Sequence, residues 1–322
     1  TVFSLPDLGE WNNSNSSAAN IRSAGGRANG IRIAGAKDLK ISNVEVEGKS
    51  SGIIVDAGAV GARHKWQYLA GRGIEIRDVK LRNCDTGFYV WQFNAGLDDP
   101  RFAGFDVKCE NFAISGCRND SVHLSGVSGV RLKNFRTDGC RWRFRTFRDC
   151  AVEQAAIAGA PFLLIGDDAP VKPEESARLA ANRTRLDGVA LTGGMLEIQK
   201  CRDLDLRKVD ITGTPAGAVF VRQTFDSSFR EFKLAGINRE NTPGTFAIRL
   251  LQSRGLQWNQ VEVTAAHPLA AVFEIGGGNA KLRSGDITVE NLAAVPEPTP
   301  PVRFQGGPFA PENCTVSSPS SD

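Results

Sequence analysis

LKNFRTDG, residues 132–139, is one of seven octapeptides that share the pattern apolar, any, polar-or-small, apolar, any, apolar, any, Gly. The others are ISNVEVEG (41–48), CENFAISG (109–116), VEQAAIAG (152–159), LDGVALTG (186–193), LRKVDITG (206–213) and FREFKLAG (229–236). IRDVKLRN (76–83) fits with Asn83 in place of the glycine, and WNQVEVTA (258–265) is a looser copy. Copies return every 20 to 23 residues, or after about 34 where a loop intervenes, which marks a repeat architecture. Inside each copy the apolar residues alternate with period two, so each copy predicts a short strand and not a helical turn.

A second short strand precedes nearly every octapeptide by about eleven residues: GIRIA (30–34), GIIVD (52–56), GFYVW (87–91), SVHLS (121–125), RWRFR (141–145), PFLLI (161–165), MLEIQ (195–199), AVFVR (218–222), TFAIR (245–249) and AVFEI (271–275). Hairpin signals between neighbouring strands, which a sandwich would need, are missing; the Asn-Gly and Asp-Gly dipeptides mostly fall at fixed repeat positions. The pattern predicts an all-β solenoid of about ten coils over 25–292, with 1–24 as an N-terminal extension or cap. The stretch 293–322 is rich in Pro and Ser and reads as a tail packed along the solenoid or a linker.

In repeat length, strand pairing and the polar or small third octapeptide residue (Asn43, Asp78, Asn111, Asn134, Gln154), the chain resembles the single-stranded right-handed parallel β-helix proteins, the pectate-lyase-like superfamily. The third-position column would form an amide ladder at a corner of the coil. The paired-Asp motifs of polygalacturonases and the Tyr-Gly-Phe-Asp-Pro-His run of mannuronan epimerases are absent from the sequence.

Composition narrows the partners. A net charge of +3 implies neither nucleic acid nor a membrane surface, and no stretch approaches the 18 apolar residues of a membrane span. The basic run from Arg131 to Arg148 is scattered over different faces by strand alternation, so it is no nucleic-acid patch. A chain that starts at Thr1 with Met195 as its only methionine reads as a processed secreted product or a trimmed segment. Its expected place is secreted, periplasmic, or on a cell or virion surface. Seven cysteines and three histidines form no metal spacing. Cys84, Cys117 and Cys140 each follow an octapeptide, so they stack on successive coils at about 4.8 Å, a separation that also admits a disulfide. A buried stack of free thiols is favoured over a bridge.

Function is read from the strands before the octapeptides. Their second and fourth residues are apolar and point inward (Ile31/Ile33, Ile53/Val55, Phe88/Val90, Val122/Leu124, Trp142/Phe144, Leu196/Ile198, Val219/Val221, Phe246/Ile248). The third and fifth face outward. Tyr89, His123 and Arg143 then occupy three successive coils, with Trp91, Ser125 and Arg145 in a parallel column. Three long inserts, 58–71, 93–104 and 167–182, leave the same sheet edge on the second, third and sixth coils and would flank this floor as a cleft.

On an acidic polysaccharide, elimination or epimerisation at C5 needs a cation for the carboxylate, a base for the C5 proton and an acid for the leaving oxygen or the opposite face. Arg143 and Arg145 suit the first role. His123 suits the second and Tyr89 the third, or that of a second base. Tyr, His and Arg serve in these roles in the polysaccharide lyases and uronate epimerases that the chain resembles in fold. Trp91, Trp66 and Tyr68 are candidate stacking platforms for sugar rings. Asp56, Arg63, His64, Asp167, Asp168 and Glu197 complete the candidate substrate contacts. Asp56 and Glu197 are too few and too far apart on the strands to hold Ca²⁺ as many β-helix lyases do, so neutralisation by arginine without an essential metal or cofactor is expected. Two alternatives stay open. A glycoside hydrolase would need two carboxylates converging on the cleft. A non-catalytic module such as a tail spike or adhesin would bind through outward apolar residues (Ile54, Leu163, Ile165, Phe220), and a tail spike would imply a trimer.

Overall fold

A computed structural model of the chain describes residues 2–4, 16–26, 28–56, 58–60, 67–69, 71–91, 105–166, 181–278, 282–296 and 300–317. Among these residues all regular structure is strand. The chain divides into two compact units, Thr1–Ala156 and Ile157–Asp322. In the first, Val2–Ser4, Ile31–Ala34, Ser51–Asp56, Thr86–Trp91, Asp120–Ser128 and Arg141–Arg148 pair side by side in one parallel sheet, called A here. Ser16–Ala24, Leu39–Glu47, Ile74–Arg82, Val107–Ser115, Val130–Asp138 and Ala151–Ala158 form sheet B. The second unit repeats the plan. Its A strands are Phe162–Ile165, Leu196–Gln199, Val219–Arg222, Phe246–Leu251, Ala271–Gly276 and Val302–Phe304. Its B strands are Thr184–Thr192, Leu204–Thr212, Phe225–Ile237, Arg254–Ala265, Gly285–Val295 and Glu312–Val316. The chain thus visits the two sheets alternately, one strand each per coil.

The octapeptides are the B strands, and their third position is where each strand bends. Asn43, Asp78, Asn111, Asn134 and Gln154 all have φ between 52° and 60°. The bent residue drops out of the ladder, so Glu110 pairs with Lys133 and Phe112 with Phe135 while Asn111 and Asn134 pair with nothing through the backbone register. Asn and Asp tolerate this left-handed conformation best among residues with a side chain. Their side chains then meet from coil to coil. Asn134 Nδ2 donates to Asn111 Oδ1 at 2.7 Å, Asn111 Nδ2 to Asp78 Oδ1 at 3.0 Å, and Asn43 Nδ2 to Asn20 Oδ1 at 2.5 Å. The expected amide ladder is present, in part. The eighth position is left-handed too, at 62–83° for the seven glycines, which is why Asn83, at 55°, is an acceptable substitute. Asn134→Ala should therefore cost about 1–2 kcal/mol in urea unfolding, from the lost ladder bond and the strained φ together, and Asn134→Gly clearly less. Equal losses in the two variants would show that the backbone conformation costs nothing.

Inward positions of sheet A are filled as the alternation predicts. Ile31, Ile33, Ile53, Val55, Phe88, Val90, Val122, Leu124, Trp142, Phe144, Leu196, Ile198, Val219 and Val221 are all buried. In the first unit they meet a run of aromatic rings from sheet B: Phe88 on Phe112 (5.3 Å), Phe112 stacked on Phe135 (4.4 Å), and Phe135 edge-on to Trp142 (5.6 Å). In the second unit Trp258 stacks on Phe229 at 4.0 Å and meets Phe273 edge-on at 5.4 Å. Cys84, Cys117 and Cys140 are buried free thiols, and the Cys140 thiol donates to the carbonyl of Cys117.

Three expectations need correction. Val219 and Val221 pair with Ile248 and Leu250, so the TFAIR strand sits two residues later than the alignment of repeats suggests. Phe246 is only half-buried and Ala247 is buried; Arg249 and Leu251, not Ala247 and Arg249, take the outward places. An Ala at 247 turns inward at no steric cost, which hides the shift from a pattern of apolar residues. The ladder also exceeds 25–292 at both ends. Ser16–Ala24 pairs in register with Leu39–Glu47, and the stretch read as a tail supplies Val302–Phe304 and Glu312–Val316 to the two sheets. Pro300, Pro301, Pro308 and Pro311 lie between those two strands or before the first, where no ladder N–H is needed.

Candidate functional site

Register decides whether the candidate residues meet, and it brings them together. On the outer face of sheet A in the first unit, Ile54 pairs with Tyr89, Tyr89 with His123 and His123 with Arg143. Beside them run Asp56, Trp91, Ser125 and Arg145. The Tyr89 and His123 rings stack with centroids 4.6 Å apart and planes 24° from parallel, and Trp91 tilts against Tyr89 at 6.5 Å. All three aromatic side chains, and both arginines, are partly buried. His123 Nε2 and Arg143 Nε are shielded from solvent and have no hydrogen-bond partner among the described residues.

A residue that the pattern did not single out organises this group. Asp120 is 1% exposed and takes three bases. Arg141 Nε donates to its Oδ1 at 2.5 Å, Arg143 Nη2 donates to Oδ2 at 2.5 Å, and His123 Nδ1 lies 3.3 Å from Oδ2. Strict alternation would send Asp120 inward with Val122 and Leu124. A register shift against the Arg141–Arg148 strand falls between Asp120 and Val122, and the carboxylate reaches Arg141 and Arg143 on the outer side. The sequence signal is present but weak: an acid three residues before a strand histidine, at the very start of a strand.

Electrostatics set the protonation states. Burial pushes the Asp120 carboxyl up, but hydrogen bonds from His123, Arg141 and Arg143 outweigh it and hold the pKa at about 2. Burial also pushes the Tyr89 phenol up to about 12, against the opposing pull of Arg143 and Arg145. Tyr89 is thus a neutral hydrogen-bond donor at physiological pH. The signs of the pH dependence follow. Asp120 contributes stability above the unfolded carboxyl pKa near 4, and that part, roughly 2 kcal/mol, is lost as pH falls toward 2. Tyr89 contributes stability below the unfolded phenol pKa near 10, lost as pH rises toward 12. With only two tyrosines in the chain, tyrosinate absorbance should resolve a step near pH 12 that Tyr89→Phe removes. A Tyr89 titrating at the ordinary phenol value would contradict its burial.

The outward position of Asp56 is corrected by its surroundings. It is 3% exposed and clamped by Arg32, whose Nε donates to Oδ2 at 2.8 Å; burial raises its pKa despite that partner. Asp56 is thus a buried ion-pair member and not an open substrate contact. Glu197 belongs to the second unit, half-buried opposite Phe220 and accepting a hydrogen bond from Gln199. Gln67–Leu69 pairs antiparallel with Gly58–Val60, which places the Tyr68 backbone in a small hairpin within the 58–71 insert. Arg63, His64, Trp66, Asp167 and Asp168, and most of the three inserts, lie outside the described residues. Among the described residues no group of three or more His, Cys, Asp or Glu is placed to hold a metal ion.

No protein-family model matches the sequence, and no curated protein matches it. Solved structures do. The A-module of mannuronan C-5 epimerase AlgE4 from Azotobacter vinelandii aligns with a TM-score of 0.55 at 11% identity, over 92% of this chain and 78% of that one. The catalytic domain of a GH87 α-1,3-glucanase in complex with nigerose aligns with a TM-score of 0.50, also at 11% identity, over 81% of this chain and 54% of that one. The chain is a right-handed parallel β-helix. At this identity the likeness carries the fold alone, and the roles of residues on the β-helix rest on their own geometry. No helix among the described residues is long and apolar enough to cross a membrane.

Proposed function

We propose that this β-helix acts outside the cell on an anionic, uronate-containing polysaccharide and cleaves it by β-elimination at the Tyr89–His123–Arg143 ladder. One observation carries the reading: an imidazole and a protonated phenol are stacked on adjacent coils with a guanidinium on the next. In that reaction His123 Nε2 takes the C5 proton while the C5–H electrons form the C4–C5 double bond. The C4–O bond breaks, and Tyr89 gives its proton to the leaving oxygen. Arg143 and Arg145 neutralise the carboxylate, which acidifies the C5 proton. The raised pKa of Tyr89 supports the acid role over that of a second base. Elimination is favoured over epimerisation because base and acid approach from one side, whereas epimerisation needs a donor on the opposite face of the ring. Hydrolysis is disfavoured because the two described carboxylates here, Asp56 and Asp120, are both engaged by arginine. The similarity of the fold to a mannuronan epimerase module and a glucanase domain is consistent with a carbohydrate substrate.

The test is incubation with alginate, pectate and a glycosaminoglycan. Elimination appears as unsaturated-uronate absorbance; a changed sugar composition without absorbance would mean epimerisation. Saccharide binding with neither change would leave a binding module and sink the enzymatic reading.

A further inference from the structure

Asp120 has no part in the chemistry just described, yet it is the most tightly engaged side chain on that face. A carboxylate with 1% exposure is costly unless its charge is met, and here every partner is a base: Arg141 from the next strand, Arg143 beside it, and His123 from its own strand. The register with the Arg141–Arg148 strand shifts between this residue and Val122, and the carboxylate reaches the outer side of the sheet. Two arginines already satisfy its charge. The approach of His123 Nδ1 to Oδ2, at 3.3 Å, adds an orientation that charge neutralisation does not require.

We propose that Asp120 is a positioning residue: by accepting a hydrogen bond from His123 Nδ1–H it fixes the tautomer that leaves Nε2 as a bare lone pair, and by gripping Arg143 it holds the guanidinium on the strand beside the same ring. Which ring nitrogen carries the proton is set by the hydrogen bond of the other. The same carboxylate therefore couples the base to the cation it works with, across adjacent coils. Its two oxygens divide the work. Oδ1 holds Arg141, an anchor at the strand start, while Oδ2 is shared between His123 and Arg143, the two groups placed to meet substrate. Removal of Arg141 should leave this sharing in place; removal of the carboxylate should not.

The kinetic consequences rest on the elimination reading, but the tautomer does not, and the experiment separates them. The chain has three histidines, His64, His123 and His267, so nitrogen-15 histidine labelling gives few signals and His123→Gln assigns the one that matters. In the wild-type protein the neutral His123 ring should carry its proton on Nδ1. In Asp120→Asn the signal should show mixed tautomers, because the acceptor that fixes the Nδ1 proton has lost its charge. The other charged or titratable groups facing the ring, Tyr89, Arg143 and Arg141, are unchanged in that variant. On a uronate polymer, kcat should fall about 10²-fold or more. Arg141→Gln should keep the tautomer. A wild-type ring protonated on Nε2, or an unchanged tautomer in Asp120→Asn, overturns the proposal even if turnover drops, because a fold-wide defect would lower rate without changing the tautomer. If Asp120→Asn does not fold, the tautomers of the wild-type protein and of Arg141→Gln still decide. A correct tautomer in a protein that turns over none of the polymers keeps the assignment of Asp120 and removes the elimination reading instead.

Discussion

Turnover of a polyuronate should fall about 10²- to 10⁴-fold when His123 is replaced by Gln, with KM changed far less. Gln is close to His in reach and keeps a polar end near Asp120, so binding suffers little, although the ring stacked on Tyr89 is lost. What it lacks is a basic lone pair. The C5 proton of a uronate is weakly acidic, and the charge-neutralising arginines lower that barrier without removing the proton. The loss should therefore appear in kcat, where a group that acts only in the transition state is felt. Initial rates from unsaturated-uronate absorbance give the measurement. A His123→Gln enzyme within tenfold of wild type would place the base elsewhere and remove the ladder from the mechanism.

The largest effect on stability should come from Trp142→Ala. Trp142 is fully buried, edge-on to Phe135 at 5.6 Å and 6.2 Å from Phe144, and its Nε1 donates to Thr137 Oγ1 at 2.9 Å. Truncation removes the ring from a close-packed run, opens a cavity and orphans a buried hydroxyl. Losses of about 3–5 kcal/mol are usual for this kind of change. In a solenoid each coil leans on its neighbours, so the damage should centre on the strands that carry Phe135, Phe144 and Val122. Those strands position His123 and Arg143, and amide exchange there should accelerate more than in the second unit. A loss below about 1 kcal/mol would mean that the core closes around the gap.

Much of this architecture is legible in the repeats themselves. The period-two alternation inside each repeat predicts which face every strand residue takes, and the burial of Phe88, Val122 and Trp142 agrees with it. Third octapeptide residues are polar or Gly, and eighth ones mostly Gly, where the backbone is left-handed, a constraint written in residue type. The coil order of Tyr89, His123 and Arg143 follows from counting repeats. At the coil of Phe246, by contrast, counting misleads, since a small residue can turn inward without announcing it.

From residue order alone came the winding of the chain, the corner ladder and the column of phenol, imidazole and guanidinium, because those follow from local periodicity and from backbone conformations that few residues tolerate. The tertiary structure alone decided that Asp120 faces outward to bind three bases, that Asp56 is spent on Arg32, and that strands near both ends join the sheets. A register shift is a local irregularity, and ion pairs form between side chains twenty or more positions apart; neither leaves a periodic trace in the order of residues.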